Sequence, residues 1–277
     1  MRRYINISLV AIALISCEET TELDLRQTPS KIVIEALVTN RPGYQSVKIT
    51  RSTDFYGTGQ TPPVLNATVK VSDDTGLEFN FIHNPGNRPD SAGIYLPEGA
   101  FVAETGKTYT LQVYVEGETY EATDELLSVI PIDSLQFRIN ENEEEDPKEA
   151  GKIYELLLYA REPQDEKNYY FFKYYRNDSL IFYSPSDVYF SDDQLLGEKI
   201  DGVPSPVYYA ANDKARVEVY SLTRSGYIFY SDLFTVLNND GGGMFGPIPS
   251  SPRTNISNGA LGFFQVSAVH HKETFIE

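Results

Sequence analysis

Apolar and polar residues alternate with a period of two along most of the chain. Ile32, Ile34, Ala36 and Val38 fall on one face of Lys31 to Thr39, with Val33 and Leu37 on the other. Val47 and Ile49 alternate with Ser46, Lys48 and Thr50, and Val69 and Val71 with Thr68, Lys70 and Ser72. A strand sends successive side chains to opposite faces, so each run predicts a half-buried strand. Asp73-Asp74-Thr75-Gly76 marks a tight connection into Leu77, Phe79 and Phe81. Tyr109, Leu111, Val113 and Val115 form a further face, and Glu116-Gly117 turns the chain back into Tyr120 and Ala122. Short runs at regular spacing, punctuated by Gly, Pro and Asp, predict an immunoglobulin-like antiparallel sandwich over residues 30–130.

Pro131 closes that unit, and residues 131–277 predict a second β-rich domain. Tyr154, Leu156 and Leu158 alternate; Tyr169 to Arg176 is a dense aromatic strand turning at Asn177-Asp178 into Leu180 to Tyr183; Val217 and Val219 form another strand. Thr223 to Asn238 breaks the period. Tyr227, Tyr230, Phe234 and Leu237 recur at helical spacing, with Thr223 or Ser225 available as N-cap. Asn239-Asp240 and three glycines stop the helix, and after a proline-rich loop a final strand is predicted around Leu261 to Val269. The predicted fold class is therefore mainly β: a sandwich followed by a β-rich domain with one α-helix near 223–238.

The first residues read as an address. Arg2 and Arg3 precede the apolar run Leu9 to Ile15, which falls well short of the ~20 residues that cross a bilayer. Residues 1–16 are thus expected to be a signal peptide. Leu14, Ile15, Ser16 and Cys17 resemble the lipobox of bacterial lipoproteins. That resemblance implies cleavage before Cys17, a diacylglycerol on its thiol and acylation of its new amine. Two or three chains at one residue hold a protein on a membrane far more firmly than a single myristoyl group. Residues 17–29 form an acidic tether, with Glu18, Glu19, Glu22 and Asp24 against Arg26. Such a segment stays extended and reaches about 40 Å at ~3.3 Å per residue. Acids directly after the lipidated cysteine resemble the surface-export signal of Bacteroidota lipoproteins, which implies an outer-membrane protein facing the cell exterior; a tether facing the periplasm is the alternative.

Composition narrows the chemistry. Lys and Arg number 23 against 40 Asp and Glu, a formal charge of −17, which disfavours nucleic acid as a partner because phosphates require the opposite sign. One cysteine excludes an intrachain disulfide and a multi-cysteine metal site. His83, His270 and His271 are the only histidines, and no Gly-x-Ser-x-Gly elbow is present. Forty acids make many chance pairs, and none stands out as a glycosidase pair. No catalytic, cofactor-binding or metal-binding residue is expected. Asp73-Asp74, Asp192-Asp193 and Asn238-Asn239-Asp240 offer oxygens to Ca²⁺, but they read first as turns. The run Glu141 to Glu149 reads as a solvated loop.

The aromatics supply the candidate contacts. Tyr169-Tyr170, Tyr174-Tyr175 and Tyr208-Tyr209 are adjacent pairs, so on a strand one of each points outward. An outward row stacks on sugar rings or fills a protein interface; neighbouring elements covering both faces is the other reading. Tyr170, Tyr175 and Tyr209 are the candidate contact residues of this kind. Met244 and Phe245, between glycines, form a hydrophobic loop tip that is costly to expose without a partner.

Pro249 to Phe264, Ile32 to Asn40, the Asn66 to Gly76 hairpin, Gly106-Lys107-Thr108-Tyr109 and Pro131-Ile132-Asp133 resemble the pattern of a Bacteroidota lipoprotein family known as domain of unknown function 4249. The resemblance covers nearly the whole mature chain and brings no catalytic motif. It implies a surface lipoprotein that accompanies a TonB-dependent receptor. The expected function is a lipid-anchored, non-enzymatic accessory or ligand-binding partner of such a receptor in nutrient uptake, with a glycan or peptide as ligand. An independent carbohydrate-binding lipoprotein, or a surface hydrolase, is the alternative.

Overall fold

The computed structural model describes residues 29–53, 61–142, 144–161, 163, 167–193, 199–238 and 251–277. The signal peptide, the lipobox residues Leu14, Ile15, Ser16 and Cys17, the tether before residue 29, and Met244 and Phe245 lie outside them. The described chain is mainly β with several sheets and one α-helix, in line with the alternation in the sequence.

In chain order the strands are β1 (Ile32–Thr39), β2 (Ser46–Arg51), β3 (Thr68–Asp73), β4 (Glu78–His83), β5 (Ile94–Pro97), β6 (Thr108–Val115), β7 (Glu118–Glu125), β8 (Ile132–Ile139), β9 (Tyr154–Arg161), β10 (Tyr169–Arg176), β11 (Ser179–Leu180), β12 (Tyr189–Asp192), β13 (Lys199–Tyr209) and β14 (Lys214–Leu222). Helix α1 (Arg224–Leu237) follows, and β15 (Leu261–Ser267) and β16 (Val269–Phe275) end the chain.

The first sheet has eight strands in the order β15-β1-β2-β5-β4-β3-β6-β7. The sequence pattern predicts the last strand within the second unit and the first sheet as antiparallel. Instead β15 joins the first sheet, parallel to β1, pairing Ile34 with Gly262, Ala36 with Phe264 and Val38 with Val266. Periodicity reveals that a strand exists but not which edge it finds. The two ends of the sheet also meet: Ala122 bridges Ile256, the Ser257 amide donates to the Glu121 carbonyl at 2.8 Å, and the Val266 amide donates to Asp124 Oδ2 at 2.9 Å. Ile34, Val38, Val71, Leu111, Val113, Phe264 and Val266 fill one shared core. The first unit is therefore complete only with residues from the C-terminal end.

Gly262 shows why that seam needs a glycine. Its φ is +94°, and a Cβ there would lie 2.1 Å from the Ile34 carbonyl oxygen. Both the left-handed backbone and the close approach of β1 require the missing side chain.

The second unit packs a three-stranded sheet, β13-β9-β8, against a five-stranded one, β11-β10-β14-β16 with β12 on β10. Leu156, Leu158 and Tyr209 from one sheet meet Tyr170, Phe172, Val217 and Val219 from the other. Since β15 and β16 are separated only by Ala268, one extended segment runs from the first sheet into the second.

Thr223 caps the N-terminus of α1: its Oγ1 accepts from the Gly226 amide at 3.3 Å, the expected capping role. Its aromatic stripe lies on β10 and β12: Tyr230 stacks on Phe171 at 4.5 Å, and Tyr227 lies 4.8 Å from Tyr169 and 5.4 Å from Phe190. Among the described residues no helix is long and apolar enough to cross a membrane.

The acidic run is more than a solvated loop. Asp146 is buried, accepting from Arg176 and, at 2.7 Å, from the Tyr183 hydroxyl. Its other oxygen accepts from the Lys148 and Glu149 amides. One aspartate thus pins the loop while Glu141, Glu144, Glu145 and Glu149 stay exposed.

Candidate functional site

The alternation of β10 sets up two concavities. Tyr170, Phe172 and Tyr174 face the sandwich core, so Phe171, Lys173 and Tyr175 face the other way, toward α1 and the first unit. There a groove of about 340 Å³ is bounded by β1 and β2 on one wall, by β10 and β14 on the other, and by α1 and β15 at its end. Stacked pairs Phe171–Tyr230 and Phe229–Phe263, 4.5 and 5.0 Å between ring centres, give it an aromatic lining.

A lysine projects into this lining. Lys173 Nζ lies 4.8 Å from the Tyr220 ring centre and 5.9 Å from that of Phe171, within cation–π range. Burial lowers the proton affinity of this ammonium, and the charge of Glu218 opposes the effect. Glu218, its cross-strand neighbour on β14, is already engaged. Its carboxylate accepts from the hydroxyls of Tyr44 at 2.7 Å, Tyr175 at 3.0 Å and Tyr220 at 2.6 Å. Burial alone would raise the Glu218 pKa, but these donors outweigh it and hold the group below its ordinary value. Tyr44 belongs to the β1–β2 connection, so Glu218 also ties the two units together.

On the opposite wall Lys48 pairs with Glu35 at 3.0 Å. At the groove's end the Tyr230 hydroxyl donates to Gln265 Oε1 at 2.6 Å. The second concavity, about 510 Å³, lies between the two sheets of the sandwich beside α1 and is lined mainly by apolar side chains such as Leu158, Phe172, Tyr189 and Phe234.

The expected contact tyrosines do not form an outward row. Tyr170 is 1% exposed and Tyr209 is 0% exposed, because both belong to the core between the sheets, opposite to the outward placement proposed for them. Tyr175 is half-buried, with the Arg216 guanidinium 4.1 Å from its ring centre and its hydroxyl on Glu218. Counting positions along a strand assigns relative faces, but only the second sheet reveals which face is covered.

All three histidines serve as hydrogen-bond acceptors. His83 Nε2 accepts from the Gly93 amide at 3.0 Å, and His270 Nδ1 from the Ile132 amide at 3.1 Å. His271 Nδ1 faces the Arg41 guanidinium at 2.7 Å and so accepts as well. Burial first, then nearby positive charge, lowers the pKa of His271; the same order holds for His270.

Asp73 behaves as a turn residue. Oδ1 accepts from the Thr75 amide and hydroxyl and from the Leu77 amide, while Oδ2 pairs with Lys107 at 3.0 Å. The Thr75 hydroxyl is foremost in holding its carboxyl well below the usual range. Asp193 accepts from the Asn168 amide. Among the described residues no cluster of His, Cys, Asp or Glu is arranged to hold a metal ion.

Lys173 and Glu218 escape a reading by motif, yet each carries a signal. Lys173 is the one charge inside Tyr169 to Tyr175, and Glu218 stands between Val217 and Val219 in an apolar strand.

The family model described as "Domain of unknown function (DUF4249)" matches residues 18–273. No curated protein matches the chain.

Proposed function

The chain belongs to the DUF4249 family, and from that premise we propose that it is a lipid-anchored, non-enzymatic binding protein of the outer membrane that works beside a TonB-dependent receptor in nutrient uptake. The observation that carries the anchor is the order of Arg2 and Arg3, the apolar run, Ser16 and the chain's single cysteine, Cys17. The acidic tether that follows sets the reach of the body from the membrane and supports its placement on the cell surface.

The binding role draws support from the groove between the two units. It brings an ammonium, ring faces and one ion pair into a space of about 340 Å³, a mostly apolar concavity with few polar groups of the kind that ligands use. The histidines, by contrast, are committed as acceptors within the fold. Stacking of sugars on Tyr170, Tyr175 and Tyr209 loses its platform, so an independent carbohydrate-binding role draws nothing from these three residues.

Mild cross-linking of intact cells followed by pull-down tests the reading. The expected product is a complex with an outer-membrane β-barrel. Recovery of periplasmic enzymes alone would contradict it.

A further inference from the structure

Among the described residues the buried charges have dedicated partners, and the half-buried Lys173 differs from them in kind. Arg176 meets Asp146 and Glu149; Glu155 meets Arg138 and Asn140; Glu218 meets three tyrosine hydroxyls. Lys173 meets ring faces. Among the described residues no carboxylate lies within ion-pair distance of its Nζ, and the nearby Glu218 has both oxygens occupied. An ammonium drawn partly out of water without a paired anion is unfavourable, and its position fits an anion that is supplied from outside.

We propose that the groove is a binding site for a small carboxylate with an aromatic or aliphatic body, the carboxylate taken by Lys173 and the body laid against the rings of Phe171, Tyr220 and Phe229. The inference rests on the reading of the protein as a binding protein and names its ligand class. Charge supports it: on a chain of net −17, the groove contains Lys173 and Lys48 against Glu35 alone, and Glu35 is engaged by Lys48. The hydroxyls of Tyr220 and Tyr230 are committed to Glu218 and Gln265, which leaves Lys173 as the donor facing the cavity from β10. The volume falls within the range of small-molecule pockets, roughly 300–1,000 Å³. A bound carboxylate would also restore the proton affinity that burial takes from the lysine.

The test is calorimetric titration of the whole mature chain with hydrocinnamate and with hydrocinnamamide, which share a body and differ in charge. The acid is expected to bind about tenfold tighter than the amide. Lys173→Gln should abolish that preference in a protein that still unfolds cooperatively, and Lys173→Arg should keep most of it. Equal binding of acid and amide, absence of acid binding, or an undiminished preference in Lys173→Gln would overturn the proposal. Should Lys173→Gln fold poorly, the acid–amide comparison on the unaltered chain decides. A failed titration beside a captured β-barrel rejects the ligand class alone; a successful one without membrane retention rejects the anchored role alone.

Discussion

Asp124 closes the first sheet, and replacing it by asparagine tests that closure quantitatively. Oδ2 accepts from the Val266 amide of β15 at 2.9 Å, and Oδ1 accepts from the hydroxyl of Thr223, the cap of α1, at 2.7 Å. The residue is 6% exposed. Burial dominates over these donors and pushes its carboxyl up from 3.8 to about 6. The folded state therefore holds the proton more tightly than the unfolded chain. The stability due to this preference is fully present below pH ~4 and is lost as pH rises through about 6. A shift of about two units corresponds to roughly 3 kcal/mol at 1.36 kcal/mol per unit. Asp124→Asn keeps the shape, accepts from Val266 and donates to Thr223 Oγ1, without a charge to bury. Urea denaturation of both proteins from pH 4 to 8 measures the difference, in which the other titrating groups cancel. Asparagine is expected to gain about 2–3 kcal/mol relative to aspartate across that range. A difference that stays flat with pH would refute a buried carboxylate at the seam.

Three further outcomes are expected. Gly262→Ala combines a left-handed backbone with a backbone clash against Ile34 and should lower stability by about 3–5 kcal/mol by chemical denaturation; a loss under ~1 kcal/mol would mean that β15 does not lie against β1 as described. Glu218→Gln replaces an acceptor of three tyrosine hydroxyls with a half-donor amide, at about 1–3 kcal/mol for each donor left unpaired; calorimetry is expected to show one transition for the unaltered chain and two for the variant as the Tyr44 tie between the units loosens. Arg176→Met leaves Asp146 buried without its cation, a loss of about 3–5 kcal/mol, and hydrogen exchange should speed up in the segment from Glu144 to Lys152; unchanged protection there would reject the pinned loop.

Much of the fold was legible because one physical signal governs it. Period-two alternation located β1, β3, β6 and β10 to within a residue or two, and helical spacing with a Thr223 cap located α1. The signal faded where strands are irregular or poorly buried. β13 holds Gly202, Pro204 and Pro206, and its pairing with β9 shifts register twice, so no clean alternation survives. β8 is half-exposed along most of its length, and β5 and β12 are only four residues each. The parallel pairing of β15 with β1 is a contact between distant parts of the chain, and local pattern contains no information about it. The same reason explains the candidate contacts. Tyr170 and Tyr209 were visible as aromatic strand residues, but the sheet that buries each comes from elsewhere in the sequence. The groove around Lys173 needs β1, β2, β10, β14, β15 and α1 together, which no single segment announces.

The proposed anchored role stands on Cys17. Mass spectrometry of the protein extracted from membranes addresses it directly. The expected N-terminal peptide begins at Cys17 and carries a diacylglyceryl thioether and an acylated amine. A membrane-retained protein whose N-terminal peptide starts elsewhere, or whose Cys17 is unmodified, would contradict it.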